Sequence, residues 1–361
     1  MTGVGGSGPQ QQVRFCRAPD GVRIAYAVHG EGPPLVVSTC WLSHLQHDWE
    51  SPVWRHFLRD LGRFVTVIRF DERGHGLSDW DVTDHSLTAR VGDLEAVVEA
   101  AGYDTFALMA MAQGGPVAIS YTAAHPERVE RLVFYGSYSA GRQGLSDDDL
   151  ETEDTFGQMI KVGWARPDST FRRVFTSLMI PGATEEQMCW LDDLQRVAAS
   201  ATTAYAARQQ RFDADADHLL AELDLPVLVA HSRGDRMNHF AYGRHLATSI
   251  DGAHLLGLES DNHIVLDDEP AWPVFVGAVR EFLVGSNGSL QDAPALSEVL
   301  SAREIDVLRV ASEGLDNEAI AGRLHLSVRT VERHLQNVYG KLGLHGRSAR
   351  TAAVARLYAR A

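Results

Sequence analysis

Over residues 13–284, short runs rich in β-branched and aromatic residues alternate with segments of helical periodicity. Neighbouring parallel strands need a long crossover, which is usually a helix, so this alternation predicts an α/β fold with a mostly parallel sheet covered on both faces. The best helical segment is 86–101, where apolar side chains recur at the spacing of one helix face. The predicted strands are 23–29, 35–37, 65–70, 106–109, 132–135, 227–230 and 253–258.

Three other segments complete the predicted organisation. Residues 144–212 are helical and rich in aromatic side chains, and an insertion at this point is expected to form a lid over the carboxyl edge of the sheet. Residues 1–12 lack periodicity and are predicted to be a flexible tail. Residues 285–295 are polar, contain glycine, serine and proline, and are predicted to link the α/β domain to a second domain at 296–361.

Charge is distributed unevenly between the two predicted domains. Residues 297–361 contain ten lysines or arginines and seven aspartates or glutamates, a net charge of +3. The remainder contains 23 basic and 41 acidic residues, so the total of −15 hides a basic C-terminal segment. A nucleic-acid partner is therefore expected only at the C-terminal domain.

The sequence offers no sign of a membrane or metal partner. No apolar run approaches the roughly 18 residues of a membrane span, and the N-terminus lacks a signal-peptide pattern. Cys16, Cys40 and Cys189 are widely separated and do not have zinc-site spacing. We expect a cytoplasmic protein with reduced thiols, no membrane association, no metal and no cofactor.

Three helix starts follow one another closely in the C-terminal domain. Ser301 and Glu304 have the spacing of a capping box. Asp316 or Asn317 can cap a short second helix, and Ser327 can cap a third. Two short helices joined by a tight turn, the second with a polar exposed face, predict a helix-turn-helix.

The outward face of the third predicted helix carries side chains that can contact DNA. Those expected to read base edges are Arg329, Glu332, Arg333 and Gln336. Those expected to reach phosphates are Thr330, His334, Asn337 and Lys341. A small helical unit with merely solvated charges is the alternative, but the basic charge and the three caps agree on DNA binding.

Residues 300–355 resemble the LuxR/GerE family of DNA-binding domains over nearly their whole length. The most specific part is TVERHLQNVYGKL at 330–342. The resemblance implies that double-stranded DNA is a partner. It also implies a fourth helix at 351–359 that pairs two subunits, and therefore a homodimer.

A second resemblance concerns FDERGHGLSD at 70–79, which follows a predicted strand. This segment resembles the D-x-R-G-x-G-x-S signature of the α/β-hydrolase fold, and the resemblance extends over about residues 13–284. It implies a catalytic acid and base after two later strands. The residues at those positions are Asp235 and His263.

The nucleophile of such a fold is expected just after strand 106–109, where the chain reads AMAQGG at 110–115. The small residues that the sharp turn requires are present, but the nucleophile position holds Ala112. Alanine cannot attack a carbonyl, and removal of the serine from subtilisin costs about 10⁶ in turnover. We therefore expect acyl-transfer chemistry to be effectively absent.

The pocket is instead expected to bind a small molecule, such as an ester or lactone. The backbone N–H groups of Trp41 and Gln113 are expected to converge near Ala112 and could hold a ligand carbonyl. The expected contacts are Trp41, Met111, Gln113, His263 and lid aromatics such as Trp164.

Three functions stay open at this point. We favour a one-component transcription regulator that senses this ligand. The alternative is an ester or lactone hydrolase whose native serine has been replaced by Ala112. The third is base catalysis by His263 and Asp235 without a nucleophile. The resemblance to the α/β-hydrolase fold implies this option, because that fold also includes cofactor-independent oxygenases.

Overall fold

The computed structural model describes residues 11–38, 42–142, 145–168, 170–285, 300–311, 315–341, 350 and 353. The chain divides into two compact units, Met1–Val284 and Gly285–Ala361. No helix among these described residues is long and apolar enough to cross a membrane.

An eight-stranded sheet forms the centre of the first unit, in the order β1-β2-β4-β3-β5-β6-β7-β8. The strands are β1 Gln12–Arg17, β2 Arg23–His29, β3 Pro34–Ser38, β4 Thr66–Phe70, β5 Phe106–Met111, β6 Val129–Tyr135, β7 Val227–Ser232 and β8 His254–Leu258. All neighbours from β4 to β8 are parallel, whereas β1 and β2 pair antiparallel at one edge. The predicted fold class is therefore confirmed.

Ten helices are described in the first unit and three in the second. Those of the first unit are α1 Leu45–Trp49, α2 Arg55–Leu61, α3 Leu87–Ala101, α4 Gly115–Ala124, α5 Asp147–Gly163, α6 Thr170–Met179, α7 Glu185–Ala198, α8 Ala201–Phe212, α9 Phe240–Ser249 and α10 Ala271–Val284. Those of the second are α11 Ala302–Ala311, α12 Asn317–Leu324 and α13 Val328–Lys341.

All seven predicted strands are present, but strand β1 was missed. Its residues alternate only weakly, and Phe15 is 54% exposed. The strand is defined by its pairing with β2, which runs in register from Gln12 opposite Val28 to Arg17 opposite Arg23. An edge strand of this kind depends on its partner more than on its own burial pattern, and Gln12 therefore belongs to the sheet rather than to the predicted tail.

Both faces of the sheet are buried, which explains the continuous apolar runs of its central strands. In β5, Met109 and Met111 point into one hydrophobic cluster, whereas Leu108 and Ala110 point into the other. Side chains alternate between faces along a strand, so a strand covered on both sides must be apolar at every position. Strand β5 lies inside the sheet and ends at Met111, on the carboxyl edge of the sheet.

The predicted lid consists of four helices, α5 to α8, between strands β6 and β7. Helix α5 begins with a capping box made by Ser146 and Asp149, and α7 begins with one made by Thr184 and Gln187. Each box satisfies backbone N–H groups that a helix start would otherwise leave without partners. The helices of this insertion therefore begin at positions that the local sequence specifies.

The second unit contains the three predicted helices of the C-terminal segment. Ser301 and Glu304 form the reciprocal capping bonds at the start of α11. Asp316, rather than Asn317, caps α12, and Ser327 caps α13 by accepting from the Thr330 N–H. The helices enclose a small core that includes Val307, Ile320, Val331 and Leu335. In the predicted fourth helix only Ala353 is described, as helical and buried, and the rest lies outside the described residues.

Several histidines of the first unit are buried as neutral side chains. His29, on β2, is 4% exposed, and its Nε2 donates to the carbonyl oxygen of Leu58 at 2.9 Å. Burial lowers the pKa of His29 from 6.5 to about 4 because a low-dielectric surrounding disfavours the charged form. The folded state therefore does not take up this proton at mildly acidic pH.

Replacing His29 by glutamine removes this titration and keeps a donor for Leu58. As pH falls below 6.5, the unfolded wild type takes up a proton that its folded state does not bind until about pH 4. The free energy of unfolding of wild type should thus fall relative to His29→Gln by about 1.4 kcal/mol per pH unit in this window. Urea unfolding followed by tryptophan fluorescence would measure it, and a difference independent of pH would contradict the assignment.

Candidate functional site

Ala112 lies at a strained turn between strand β5 and helix α4. Its φ of 46° is in the left-handed region, which residues other than glycine rarely adopt. The two glycines that follow allow the turn to pack closely. A Cβ atom at Gly114 would lie 2.5 Å from the carbonyl oxygen of Ser38, and one at Gly115 would lie 2.0 Å from that of Tyr138. Residue 112 is thereby held at the carboxyl edge of the sheet in a strand–turn–helix arrangement.

His263 and Asp235 come from two different loops of the same edge and form a hydrogen-bonded pair. His263 Nδ1 donates to Asp235 Oδ2 at 2.6 Å. The other oxygen of Asp235 accepts from the backbone N–H groups of Met237 and Asn238. Burial alone would raise the pKa of Asp235, but His263 and these hydrogen bonds outweigh burial and lower it. Asp235 is therefore an ionised carboxylate that fixes the orientation of the imidazole through its Nδ1 atom. The hydrogen bond to Asp235 does not use the other ring nitrogen of His263, Nε2.

A cavity of about 130 Å³ brings this pair together with the turn, because Ala112 and His263 both line it. All four lid helices, α5 to α8, contribute residues to its lining. The apolar lining includes Leu42, Trp54, Met179, Leu191, Leu194 and Ile264. The polar lining includes Gln113, Tyr138, Glu153, Arg208, Arg211 and Asn238.

The predicted ligand contacts are distributed differently from expectation. Gln113 lines the cavity, but Met111 is buried in the core and faces a smaller cavity of about 50 Å³. Trp164 is 1% exposed and packs in the lid core, where its indole N–H donates to the carbonyl oxygen of Ala199 at 3.0 Å. The expectation that Met111 and Trp164 line the main cavity is therefore wrong. Trp41 lies outside the described residues.

A charged layer lies directly behind the turn and was not predicted. Glu72 accepts from Arg90 at 3.1 Å with one oxygen and pairs with Arg211 through the other. Arg90 also donates to the carbonyl oxygen of Gln113 at 2.9 Å. Although burial raises the pKa of Glu72, Arg211 and Arg90 lower it to about 2. The only sequence signal for this layer was the glutamate within the FDERG segment.

The other charged residues of that segment have structural partners. Arg73 forms two bonds with the buried carboxylate of Asp93, on helix α3. Asp71 accepts from the Ser43 hydroxyl and from the backbone N–H of Leu45. These bonds hold the loop after β4 against α1 and α3, so Asp71 and Arg73 shape the edge of the sheet rather than the cavity itself.

Most of the predicted DNA contacts are exposed on helix α13. Arg329, Glu332, Arg333, Gln336 and Asn337 face solvent, whereas Thr330 and His334 are half-buried. Thr330 also serves the helix start, since its hydroxyl lies 2.7 Å from that of Ser327. The exposed residues share the face opposite the buried Val331, Leu335 and Val338.

Lys341 has a partner within its own unit. Its ammonium group donates to Glu304 at 2.7 Å and so ties the end of α13 to the start of α11. The Glu304 side chain is only 5% exposed, whereas that of Lys341 is 43% exposed. Burial would raise the pKa of Glu304, but the bonds from Lys341 and Ser301 lower it. A phosphate contact by Lys341 would thus compete with an internal ion pair.

Among the residues that the structure describes, no group of three or more histidine, cysteine, aspartate or glutamate side chains is placed to hold a metal ion. The two cysteines described, Cys16 and Cys189, are free thiols.

Two protein families match separate parts of the chain. Residues 33–270 match the alpha/beta hydrolase fold family. Residues 298–354 match the bacterial regulatory proteins of the luxR family. The first match covers strands β3 to β8, the lid and the cavity, and the second covers the three helices described in the second unit.

Individual relatives repeat this division. The AB hydrolase superfamily protein YisY of Bacillus subtilis is 25% identical over 246 residues, which are 65% of this chain and 86% of that protein. The Fimbriae Z protein of Escherichia coli K12 is 55% identical over 47 residues, 13% of this chain, and the match spans only 22% of that protein. An esterase from Exiguobacterium antarcticum superposes with a TM-score of 0.65 at 21% identity, covering 75% of this chain and 99% of that one. This last likeness shows the fold alone.

Replacing Lys341 by methionine should destabilise the second unit. The change leaves the nearly buried carboxylate of Glu304 without its cation, which should cost about 1 kcal/mol after allowing for the exposure of the lysine. Amide hydrogen exchange in α13 of the full chain should then be about fivefold faster. Arg333→Met, an exposed change on the same helix, is the matched control. Equal exchange in the two variants would mean that the ion pair contributes nothing to stability.

Proposed function

Because the chain belongs to the alpha/beta hydrolase fold family over residues 33–270 and carries a luxR-type DNA-binding domain over residues 298–354, we propose that it is a one-component transcription regulator. In this proposal the hydrolase-fold unit binds a small molecule without hydrolysing it. The ligand then changes how the C-terminal unit engages DNA. Both activities reside in one chain, so no separate sensor is required.

The observation that carries this proposal is the alanine at the strained turn. Ala112 adopts a φ of 46° and lines the same cavity as His263. In an α/β-hydrolase such a turn presents the nucleophilic serine to the substrate, and the histidine accepts its proton. Here the turn, the His263–Asp235 pair and the cavity are all present, but a methyl group stands where the attacking oxygen would be. The site thus retains the features needed for binding and lacks the group needed for covalent chemistry.

The lid offers a physical route from ligand to response. Its helices α5, α7 and α8 supply cavity residues such as Glu153, Leu191 and Arg211. A ligand that contacts these residues in one lid arrangement and not in another stabilises that arrangement by its difference in affinity. A nearly complete switch needs about a 10⁴-fold difference between the two states.

The competing function is a serine hydrolase in which the serine has been replaced. The hydrogen bond of 2.6 Å between His263 and Asp235 favours it, because this is the geometry of a working acid–base pair. Restoring the nucleophile distinguishes the two functions. Base catalysis without a nucleophile would need the same pair and is tested by His263→Ala in any assay in which wild type shows turnover.

We expect Ala112→Ser to show no turnover of generic p-nitrophenyl esters above the background of wild type. A receptor cavity is not constrained to place a carbonyl carbon against residue 112 or to stabilise an oxyanion. Ala112→Gly serves as the control for a changed turn. Ester hydrolysis by Ala112→Ser that disappears in the double variant with His263→Ala would favour the hydrolase instead.

DNA binding is proposed to occur through the exposed face of helix α13. Arg333 and Gln336 point to solvent on this face and carry the side chains that pair with guanine and adenine. We propose a homodimer that reads two half-sites about one helical turn apart. Phosphate contacts release counterions, so binding should weaken steeply as salt increases.

Replacing Arg333 by alanine should relax sequence preference. The loss on a selected DNA site should be about 1–3 kcal/mol, with a much smaller loss on random DNA, because a base-edge contact is made only with the correct base. Arg309→Ala removes the same charge from helix α11 and is the matched control. Titrations of full-length protein on both DNAs would measure this, and an equal loss on both for Arg333→Ala would remove Arg333 from base reading.

A further inference from the structure

Two buried arginines share a single carboxylate at the wall of the cavity. Arg90 is 2% exposed, Arg211 is 3% exposed, and both pair with Glu72, which is also 3% exposed. Arg211 is the member of this group that lines the cavity. The three side chains together carry one surplus positive charge in a place that water reaches poorly.

Several N–H groups of this cluster have no partner among the described residues. They are Nε and Nη1 of Arg211, Nε and Nη1 of Arg90, and the amide nitrogen of Gln113, all of which are buried. A guanidinium has five N–H donors, and a buried charged donor without an acceptor is costly. Arg211 and Gln113 both line the cavity, so acceptors for their free donors can come from a molecule that occupies it.

The neighbouring groups do not supply the missing negative charge. Arg208 and Glu153 form their own ion pair at 2.5 Å, which is neutral as a unit. Burial, followed by the charge of Arg211, lowers the pKa of His75 to about 3 and that of His85 to about 4. Burial also raises the pKa of Tyr138 to about 12. These three side chains are neutral near pH 7, so the surplus charge at Arg211 persists.

The surroundings of Arg211 disfavour the charged form of its guanidinium. Burial lowers the pKa of its guanidinium to about 10, and the repulsion from Arg90 adds to this, although Glu72 acts in the opposite direction. An anion beside Arg211 would reverse this effect, since an opposite charge within a few ångströms favours the charged form. The binding of such an anion is therefore favoured, because it stabilises the charged guanidinium of Arg211 that burial and Arg90 disfavour.

The rest of the cavity favours an apolar body for this anion. Trp54, Met179, Leu191 and Leu194 belong to the hydrophobic core and line the same space. The cavity volume of about 130 Å³ corresponds to roughly ten water-sized positions. This is the size of an aromatic or branched-chain acid rather than of a lipid or a nucleotide.

We propose that the cavity binds a small apolar monocarboxylic acid, whose carboxylate pairs with Arg211 and accepts from the side-chain amide of Gln113. This inference rests on the proposed function, in which the cavity is a ligand site. It differs from the ester or lactone suggested by the resemblance to hydrolases. A carboxylate oxygen is a charged acceptor, so it can make a charge-assisted hydrogen bond with a free N–H of this guanidinium, at Nε or Nη1.

The test measures thermal stabilisation of the full-length protein by matched acids and neutral analogues. Acetate, benzoate and phenylacetate are compared with acetamide, benzamide and methyl benzoate at about 20 mM, with sodium chloride added to equal ionic strength. Benzoate or phenylacetate should raise Tm by about 3 °C or more, whereas the amides and the ester should not. Stabilisation that is equal for acids and neutral analogues, or absent for all three acids, would overturn the proposal.

Arg211→Met assigns the effect to this residue. Arg90 and Glu72 then form a balanced pair, so the variant should fold, and its affinity for benzoate should be lower by about tenfold or more. The double variant Arg196→Met/Asp193→Asn is the matched control, because it removes an exposed ion pair from lid helix α7, outside the cavity lining, without changing the net charge. It should keep the preference for acids. Arg211→Lys keeps the charge, should keep part of the preference, and serves if the methionine variant does not fold.

DNA affinity measured with and without benzoate separates this proposal from the proposed function. Acids that stabilise wild type but not Arg211→Met, and leave DNA affinity unchanged, would support the carboxylate site and count against regulation by the cavity. A neutral analogue that stabilises the protein and alters DNA affinity would overturn the carboxylate site and support regulation.

Discussion

The close packing of the turn at Ala112 is the constraint on which the site depends. Gly114 and Gly115 lie so near the backbones of Ser38 and Tyr138 that no larger residue fits, and Arg90 holds the turn from behind through the carbonyl oxygen of Gln113. A turn with positive φ at an alanine is strained, and strain persists only where the surrounding structure enforces it. Because the turn is held in this way, residue 112 faces the cavity whether or not it carries a nucleophile.

The same packing connects the turn to the surplus charge of the cavity. Arg90 reaches both Gln113 and Glu72, and Glu72 in turn pairs with Arg211 from the lid. The turn, the sheet edge and helix α8 are therefore linked by one buried ionic group. Such groups contribute little net stability compared with apolar packing, but breaking one of their pairs is costly. A ligand that balances the charge of Arg211 would act directly on this connection between the lid and the sheet.

The second unit depends on a simpler arrangement, in which local capping defines each helix and a small apolar core joins them. Ser301, Asp316 and Ser327 each satisfy backbone donors at a helix start, and the buried faces of the helices meet at Val307, Ile320 and Val331. One face of α13 is therefore exposed and does not pack against the other helices of the unit. The exception is the last residue of α13, Lys341, which forms an ion pair with Glu304 at the start of α11. This ion pair is a tertiary contact, whereas the start of α13 is defined by local capping.

The sequence by itself determined the α/β class, seven of the eight strands among the described residues, the three capped helices and the alanine at the turn. These features follow from periodicity, capping residues and short motifs, which act over a few neighbouring residues. Only the tertiary structure decided which side chains meet. It placed Arg211 on the cavity and Trp164 in the lid core, although both lie on helical segments of the same insertion. It also paired Lys341 with Glu304 and added β1 to the sheet. The physical reason is that a helix face or an edge strand acquires its role from the element packed against it, and that element is distant in the sequence.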